Sequence, residues 1–191
     1  MTRMFLPMAD RCMEMKPADF EKYSLEILES HIKGLENVVF KHNQVIEVAD
    51  GNYQIDGLIE FEVMGLKYKT VVECKMYKNP INRGIVQKLY STIQSIGAHK
   101  GIIVSTSNFQ SGALLYARQH GIALIQMTEA GTEYYERAFN TVMNHPFVPF
   151  NGSNPYIGVK IGTDDNGHGM TCSYLSPQSD ALVDFLKSKT K

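Results

Sequence analysis

Tyr68-Lys69-Thr70-Val71-Val72-Glu73-Cys74-Lys75-Met76-Tyr77 is the stretch from which the rest of the chain can be organised. Its β-branched and aromatic content is that of a strand. Residues two apart in a strand share a face, so Glu73 and Lys75 project together while Val72 and Cys74 face the other way. Glu-x-Lys on a strand is most often an ordinary ion pair between neighbours. Here it follows two valines in an apolar context, and charge placed near a core is costly enough to require a reason.

Upstream, Val38 to Val48 and Tyr53 to Val63 have the same strand composition. Asp50-Gly51-Asn52 and Met64-Gly65 separate them, so the three runs read as a meander. Before it, Pro17 opens an apolar helical period through Phe20, Tyr23, Leu25, Ile27, Leu28 and Ile32, and Gly34 stops it. Downstream, Asn82 to His99 carries Ile85, Val86, Leu89, Tyr90, Ile93 and Ile96 at helical spacing, and a buried strand follows from Gly101. Ser111 to His120 predicts a helix, Ile122 to Ile125 a second buried strand, and Thr128 the cap of a helix reaching about Met143. Strands alternating with helices imply a parallel sheet edge.

Past Asn144, Pro146, Pro149, Gly152 and Pro155 break any period. A hairpin from Tyr156 to Leu175 around Asp164-Asp165-Asn166-Gly167 and a helix from Ser179 to Lys187 are expected. The organisation read from this is an N-terminal flank (1–16), a core (17–143) and a C-terminal extension (144–191). The extension packs on the same domain, being too short to bury a core of its own.

Length and composition narrow the function classes. The chain has 191 residues, 43% of them hydrophobic, enough for one core of ordinary size. No apolar stretch approaches the ~20 residues of a membrane span and no signal-like start is present, so a soluble cytoplasmic protein without membrane contact is expected. Cys12, Cys74 and Cys172 are too widely spaced for a disulfide framework or zinc site. The formal net charge is -1, yet from Lys67 to Lys100 the basic residues Lys67, Lys69, Lys75, Lys78, Arg83, Lys88 and Lys100 surround a single acid, Glu73. Such runs are usually solvated faces, and the position of that one acid is what singles this run out.

On the preceding strand Gln54 and Asp56 share a face, and a short hairpin brings Asp56 near Glu73. Two carboxylates about 4 Å apart repel by roughly 4 kcal/mol at an effective dielectric of 20, so they need a compensating charge or a shared proton. A divalent cation supplies that charge. Mg²⁺ takes one or two protein carboxylates together with waters and substrate phosphate oxygens, and phosphodiester hydrolysis uses this arrangement.

These residues resemble the PD-(D/E)xK nucleases, and within them the Mrr-like restriction endonucleases. The resemblance spans roughly Phe20 to Gln126. Phe20-Glu21 opens helix one, Gln54-Ile55-Asp56-Gly57 and Val72-Glu73-Cys74-Lys75 resemble the two catalytic strands, and Asn79-Pro80 with Gln87 resembles the glutamine region. Gly101-Ile102-Ile103-Val104-Ser105-Thr106 with Phe109 and Ala113 resembles the strand and helix that follow. It implies a restriction-endonuclease-like three-layer α/β/α fold with a central mixed β-sheet, and a metal-dependent DNA endonuclease of restriction or anti-phage type. Asp56 and Glu73 would ligate Mg²⁺, which Mn²⁺ can replace, with the backbone carbonyl of Cys74 as a further ligand. Lys75 would be the catalytic lysine, and Glu21, Gln54 and Gln87 would support metal, water or phosphate. Glu21 qualifies equally as a first-turn acid complementing the helix dipole. The partners implied are double-stranded DNA and either a second copy of the chain or a targeting protein. Restriction-type relatives commonly carry a separate DNA-recognition domain, and these 191 residues hold only short flanks around the core.

Two other classes remain at this point. One is a catalytically inactive nuclease-fold subunit that binds nucleic acid or supports assembly, which the intact Asp56, Glu73 and Lys75 disfavour. The other is a nucleotide sensor, which the lack of a glycine-rich phosphate loop disfavours. The Asp164–Gly167 segment lacks the later acid of a calcium loop. Ser105-Thr106-Ser107, at the end of a buried strand, suits a helix cap better than a phosphate site.

Overall fold

The structure, a computed structural model, describes residues 15–129, 135–138, 141–144, 156–164, 167, 169–175 and 179–188. Helix α1 (Pro17–His31) begins with its proline in the first turn and buries Phe20, Leu25, Ile27 and Leu28. Strands β1 (Glu36–Val48), β2 (Gly51–Val63) and β3 (Leu66–Lys75) form the expected antiparallel meander. At its second turn Met64 and Gly65 both have positive φ, 53° and 77°, which suits the twist of a two-residue hairpin. Then α2 (Arg83–Ser95), β4 (Lys100–Ser105), α3 (Ser111–Gln119) and β5 (Ile122–Glu129) alternate, with β3, β4 and β5 parallel. Strands β6 (Tyr135–Ala138) and β7 (Thr141–Asn144) pair with each other and, among the described residues, with no other strand. Strands β8 (Tyr156–Thr163) and β9 (Met170–Tyr174) and helix α4 (Ala181–Lys187) complete the chain.

Seven strands make one mixed sheet in the order β1-β2-β3-β4-β5-β8-β9. One face is covered by α2 and α3 through Val86, Leu89, Ile93, Ala113, Leu114 and Ala117, and the other by α1 and α4 through Phe20, Ile27, Leu28, Leu182 and Leu186. This is the three-layer α/β/α arrangement expected from the sequence.

Two expectations fail. The helix from Thr128 to Met143 is absent: β5 continues to Glu129 because Tyr156 and Ile157 of β8 pair with Glu129 and Thr128, and the segment beyond contributes β6 and β7. The parallel strands also do not form an edge, because β8 and β9 add antiparallel to β5 and leave β4 and β5 inside the sheet. The hairpin and final helix appear as β8–β9 and α4; of the turn between them, Asp165 and Asn166 lie outside the described residues, as does most of the N-terminal flank.

The β1–β2 hairpin coils, and the coil sets up the site. Val38 and Phe40 pack into the α1–α4 layer, whereas Ile46 and Val48, of the same parity, pack into the α2–α3 layer. On β2, Ile59 and Phe61 face the α1–α4 layer while Tyr53 and Ile55 face the other. A straight strand keeps such residues on one face. The change occurs at Asn43, with φ 49°, which the flanking pairs His42–Gly57 and Gln44–Ile55 place opposite Asp56. Gly57 completes the crossing: a Cβ there would lie 2.6 Å from Leu25 Cδ2 and 3.2 Å from Val72 Cβ. Gly57→Ala therefore overpacks the α1 contact and should destabilise the fold by ~1–3 kcal/mol, read as a lower urea midpoint at unchanged m-value.

Helix α4 is tied down by lysines. Lys100, 4% exposed, donates from Nζ to the Phe185 carbonyl and, at 2.6 Å, to Ser188 Oγ. Lys160 donates to the Ala181 carbonyl at 3.2 Å. Burial, with the Lys160 charge adding to it, pushes Lys100 down to about 8 from an ordinary 10.5. Between those two values the unfolded chain holds the proton that the folded chain has released, so stability rises with pH across that window, and the charge penalty is in full force below it. Urea titrations at pH 7.5 and 10 should show this rise in the wild type and its loss in Lys100→Met; an equal rise in both would remove Lys100 as its source.

Candidate active site

Backbone pairing of β2 with β3 reaches Gly57–Val72 and goes no further. At the next position Asp56 Oδ2 accepts the Cys74 backbone N–H at 2.7 Å, so a side chain continues what the ladder leaves unfinished. The N–H and C=O of one residue in an extended strand point to the same side, so the Cys74 carbonyl also faces Asp56. Val72 and Cys74 lie in the α1–α4 core and Val71 in the α2–α3 core, as strand alternation predicts. Glu73 and Lys75 thus emerge together and form an ion pair, with side chains 19% and 21% exposed.

The electrostatics are asymmetric. Burial is the strongest influence on Lys75 and acts to lower it, but the Glu73 hydrogen bond and charge, with contributions from Asp56 and Tyr77, outweigh burial and hold Lys75 above its ordinary value. The side chain is an ammonium at neutral pH. Burial first, then the charges of Asp56, Glu21 and Glu73, push the Cys74 thiol up against an opposing hydrogen bond from Ser24. The Cys74 side chain is buried in the α1–α4 core, on the strand face opposite Glu73 and Lys75, so what it can offer a metal beside them is its carbonyl.

The supporting residues behave differently from one another. Glu21 lies past the first turn of α1, where the acid is Asp19, and its Oε2 lies 3.0 Å from His42 Nε2. A side-chain partner on β1 accounts for it better than the helix dipole does. Its charge, like those of Asp56 and Glu73, is felt at Cys74. Gln54 is exposed and donates to Asn43 Oδ1 at 2.9 Å. Gln87 is exposed on α2 and, among the described residues, has no hydrogen bond to Asp56, Glu73 or Lys75.

Among the described residues no three His, Cys, Asp or Glu side chains converge at metal-binding distance. Asp56 and Glu73 each use one oxygen, on Cys74 N–H and on Lys75, and each keeps the other oxygen without a hydrogen bond among the described residues. Two carboxylate oxygens and a carbonyl form a hard donor set that fits Mg²⁺ or Mn²⁺, which require few protein ligands, and does not fit a thiolate metal.

Sequence reading missed Asn43 and His42, because an asparagine and a histidine inside a strand pattern carry no signal of their own. It also misplaced Ser105-Thr106-Ser107. The residue preceding α3 is Gln110 and makes no capping bond, while Thr106 Oγ1 donates to the Tyr77 carbonyl at 3.0 Å and Ser107 Oγ to that of Asn79 at 2.8 Å. Lys75, Ser105 and Gln126 form one cross-sheet row. Gln126 is 1% exposed, and only its buried neighbours in the fold distinguish it.

A family model for restriction endonucleases, Mrr_cat, matches residues 12–130. The type IV methyl-directed restriction enzyme EcoKMrr of Escherichia coli (strain K12) is 28% identical over 117 residues, which make up 61% of this chain and 37% of that enzyme. The chain therefore spans little more than a third of the curated relative it matches. Among solved structures, a protein of unknown function, AF1548, aligns with TM-score 0.47 at 20% identity over 57% of each chain. The DNA modification-dependent restriction endonuclease AspBHI aligns with TM-score 0.40 at 16% identity over 65% of this chain and 36% of that one.

The left-handed backbone at Asn43 costs a residue with a branched Cβ about 1–2 kcal/mol and a glycine nothing in sterics. Asn43→Val should lower stability by about that amount in thermal or urea melts. Asn43→Gly should lie closer to the wild type, and the reverse order would mean that the turn of β1 does not depend on this conformation.

Proposed function

Because the chain belongs to the Mrr-type restriction endonuclease family, we propose that it is a metal-dependent endonuclease cutting DNA phosphodiester bonds at Asp56, Glu73 and Lys75. The observation that carries this reading is the Asp56 carboxylate bonded to the backbone of the same strand from which Glu73 and Lys75 emerge as a half-buried pair.

Each residue has a task that follows from its setting. Asp56, fixed by the Cys74 N–H, and Glu73, fixed by Lys75, would hold a Mg²⁺ ion through their remaining oxygens together with the Cys74 carbonyl. When bound, such an ion supplies Lewis-acid polarisation of the phosphate and a more acidic attacking water. Lys75, kept protonated by Glu73, orients that water or balances charge developing on the phosphate oxygens. Glu21, steadied by His42, stands behind them as an acid that holds water at the site. Gln54, which donates to Asn43, and Gln87, exposed on α2, would support metal, water or phosphate from outside the triad. Double-stranded DNA is the substrate this reading takes. A second copy of the chain would supply the cut in the opposite strand, or a targeting protein would bring the site to DNA. Residues 17–143 form the nuclease core, with 144–191 on the same domain, which the continuation of the sheet into β8 and β9 supports. Among the described residues no helix is long and apolar enough to cross a membrane, and the cytoplasm is where restriction would place such an enzyme.

Supercoiled plasmid incubated with Mg²⁺, Mn²⁺, Ca²⁺ or chelator tests the assignment. Wild-type protein should nick it with Mg²⁺ or Mn²⁺ and not with chelator. Asp56→Asn and Lys75→Ala should lose at least about 10²-fold in rate, the scale of removing one charge-stabilising group, while still binding DNA. Equal activity in wild type and variants would exclude this site, and binding without cleavage in every metal would favour an inactive scaffold.

A further inference from the structure

The fold divides the basic run of the sequence. Lys67 and Lys69 stand opposite Glu62 and Glu60 on the β2–β3 ladder, Lys75 is bound to Glu73, and Lys100 is sealed against α4. Lys78, in the connection that follows Lys75, and Arg83, the first residue of α2, are exposed and have no acidic partner among the described residues; Lys88, further along α2, is likewise exposed. Between them and Lys75 in the chain stands Tyr77, 44% exposed.

A loop rich in exposed residues is ordinarily mobile, and this one is fastened along its length. The segment after β4 holds it through Thr106 N to the Lys75 carbonyl (3.1 Å), Thr106 Oγ1 to that of Tyr77 (3.0 Å) and Ser107 Oγ to that of Asn79 (2.8 Å). Ile81 N then donates to the Asn108 carbonyl and Gln110 N to that of Ile81, each at 2.9 Å, with the Ile81 side chain fully buried. The Arg83 guanidinium sits 5.0 Å over the Tyr116 ring, which restrains it without neutralising it. The outcome is a fastened backbone that carries an exposed ring, Tyr77, and two cations without acidic partners, Lys78 and Arg83, beginning two residues after Lys75.

We propose that Tyr77, Lys78 and Arg83 form a preorganised rim that grips the phosphodiester backbone of duplex DNA beside the bond to be cut. Lys78 and Arg83 take flanking phosphates and the Tyr77 ring packs on the adjoining sugar. The proposal rests on the nuclease reading above, and it follows from charge complementarity at a site whose neighbour, Lys75, already faces a phosphate in that reading. The backbone that carries these cations is already ordered, so their contacts contribute to affinity without first having to order a loop.

Fluorescence anisotropy of a labelled duplex of about 30 base pairs, with Ca²⁺ present and salt varied between about 50 and 200 mM, reads the rim through counterion release. The Lys78→Ala/Arg83→Ala protein should bind more weakly, with its slope of log affinity against log salt flattened by about 2, or ~0.9 per lost phosphate. In plasmid nicking its KM should rise while kcat is kept. Tyr77→Ala should raise KM and Tyr77→Phe restore it. Thr106→Val, which keeps the backbone bond to Lys75 and releases the Tyr77 carbonyl, should also raise KM. Should the double variant melt early, Lys78→Ala alone, at an exposed position, should still flatten the slope by about 1. A wild type that binds and nicks DNA alongside rim variants of unchanged slope overturns the rim and leaves the nuclease standing. A wild type that neither binds nor nicks overturns both.

Discussion

On the β2 side of β3, the Asp56 carboxylate takes the position that a further backbone carbonyl would have occupied, and the Cys74 N–H donates to it. A buried amide must find an acceptor, and here the acceptor is a group that also carries charge. The ladder can stop at Gly57–Val72 only because the β1–β2 hairpin coils at Asn43 and carries β2 away. That coil in turn needs Gly57, where Leu25 and Val72 leave no room for a side chain. Helix packing, strand twist and placement of the acid are therefore one constraint seen at three scales.

The charges around this contact are compensated before any ligand arrives. Lys75 answers Glu73, the Cys74 amide answers Asp56, and Glu21 shares a hydrogen bond with His42. Each partner uses one carboxylate oxygen and leaves chemistry available at the other. The same economy of placement applies to the basic residues, which the fold sorts into ladder neighbours, a buried anchor for α4 and an exposed remainder next to the site.

The elements that sequence described well are those whose burial is periodic and local: α1 and α2 with their apolar spacing, the β-branched runs of β1 to β3, and the fully buried β4. It failed beyond Thr128, where the backbone takes its partner from Tyr156 and Ile157, nearly thirty residues away, because local propensity is silent about a distant strand that offers a ladder. Ser105-Thr106-Ser107 failed for a related reason. Three small hydroxyl residues before a helix have the composition of a cap, yet their donors are drawn to carbonyls of a loop that the parallel pairing of β3 and β4 brings alongside.

For the site itself, sequence determined that Glu73 and Lys75 share a face, since that depends only on the two-residue repeat of a strand, and that the core around them is apolar. Tertiary structure alone decided that Asp56 reaches Cys74, that Glu21 is held by His42, that Gln54 is held by Asn43, and that Lys100 is buried against α4 while Lys78 and Arg83 stay exposed after Lys75. The periodicity of a strand is written in adjacent residues. The point at which that periodicity slips is set by what packs across it, here α1 against Gly57, and no local pattern records that contact.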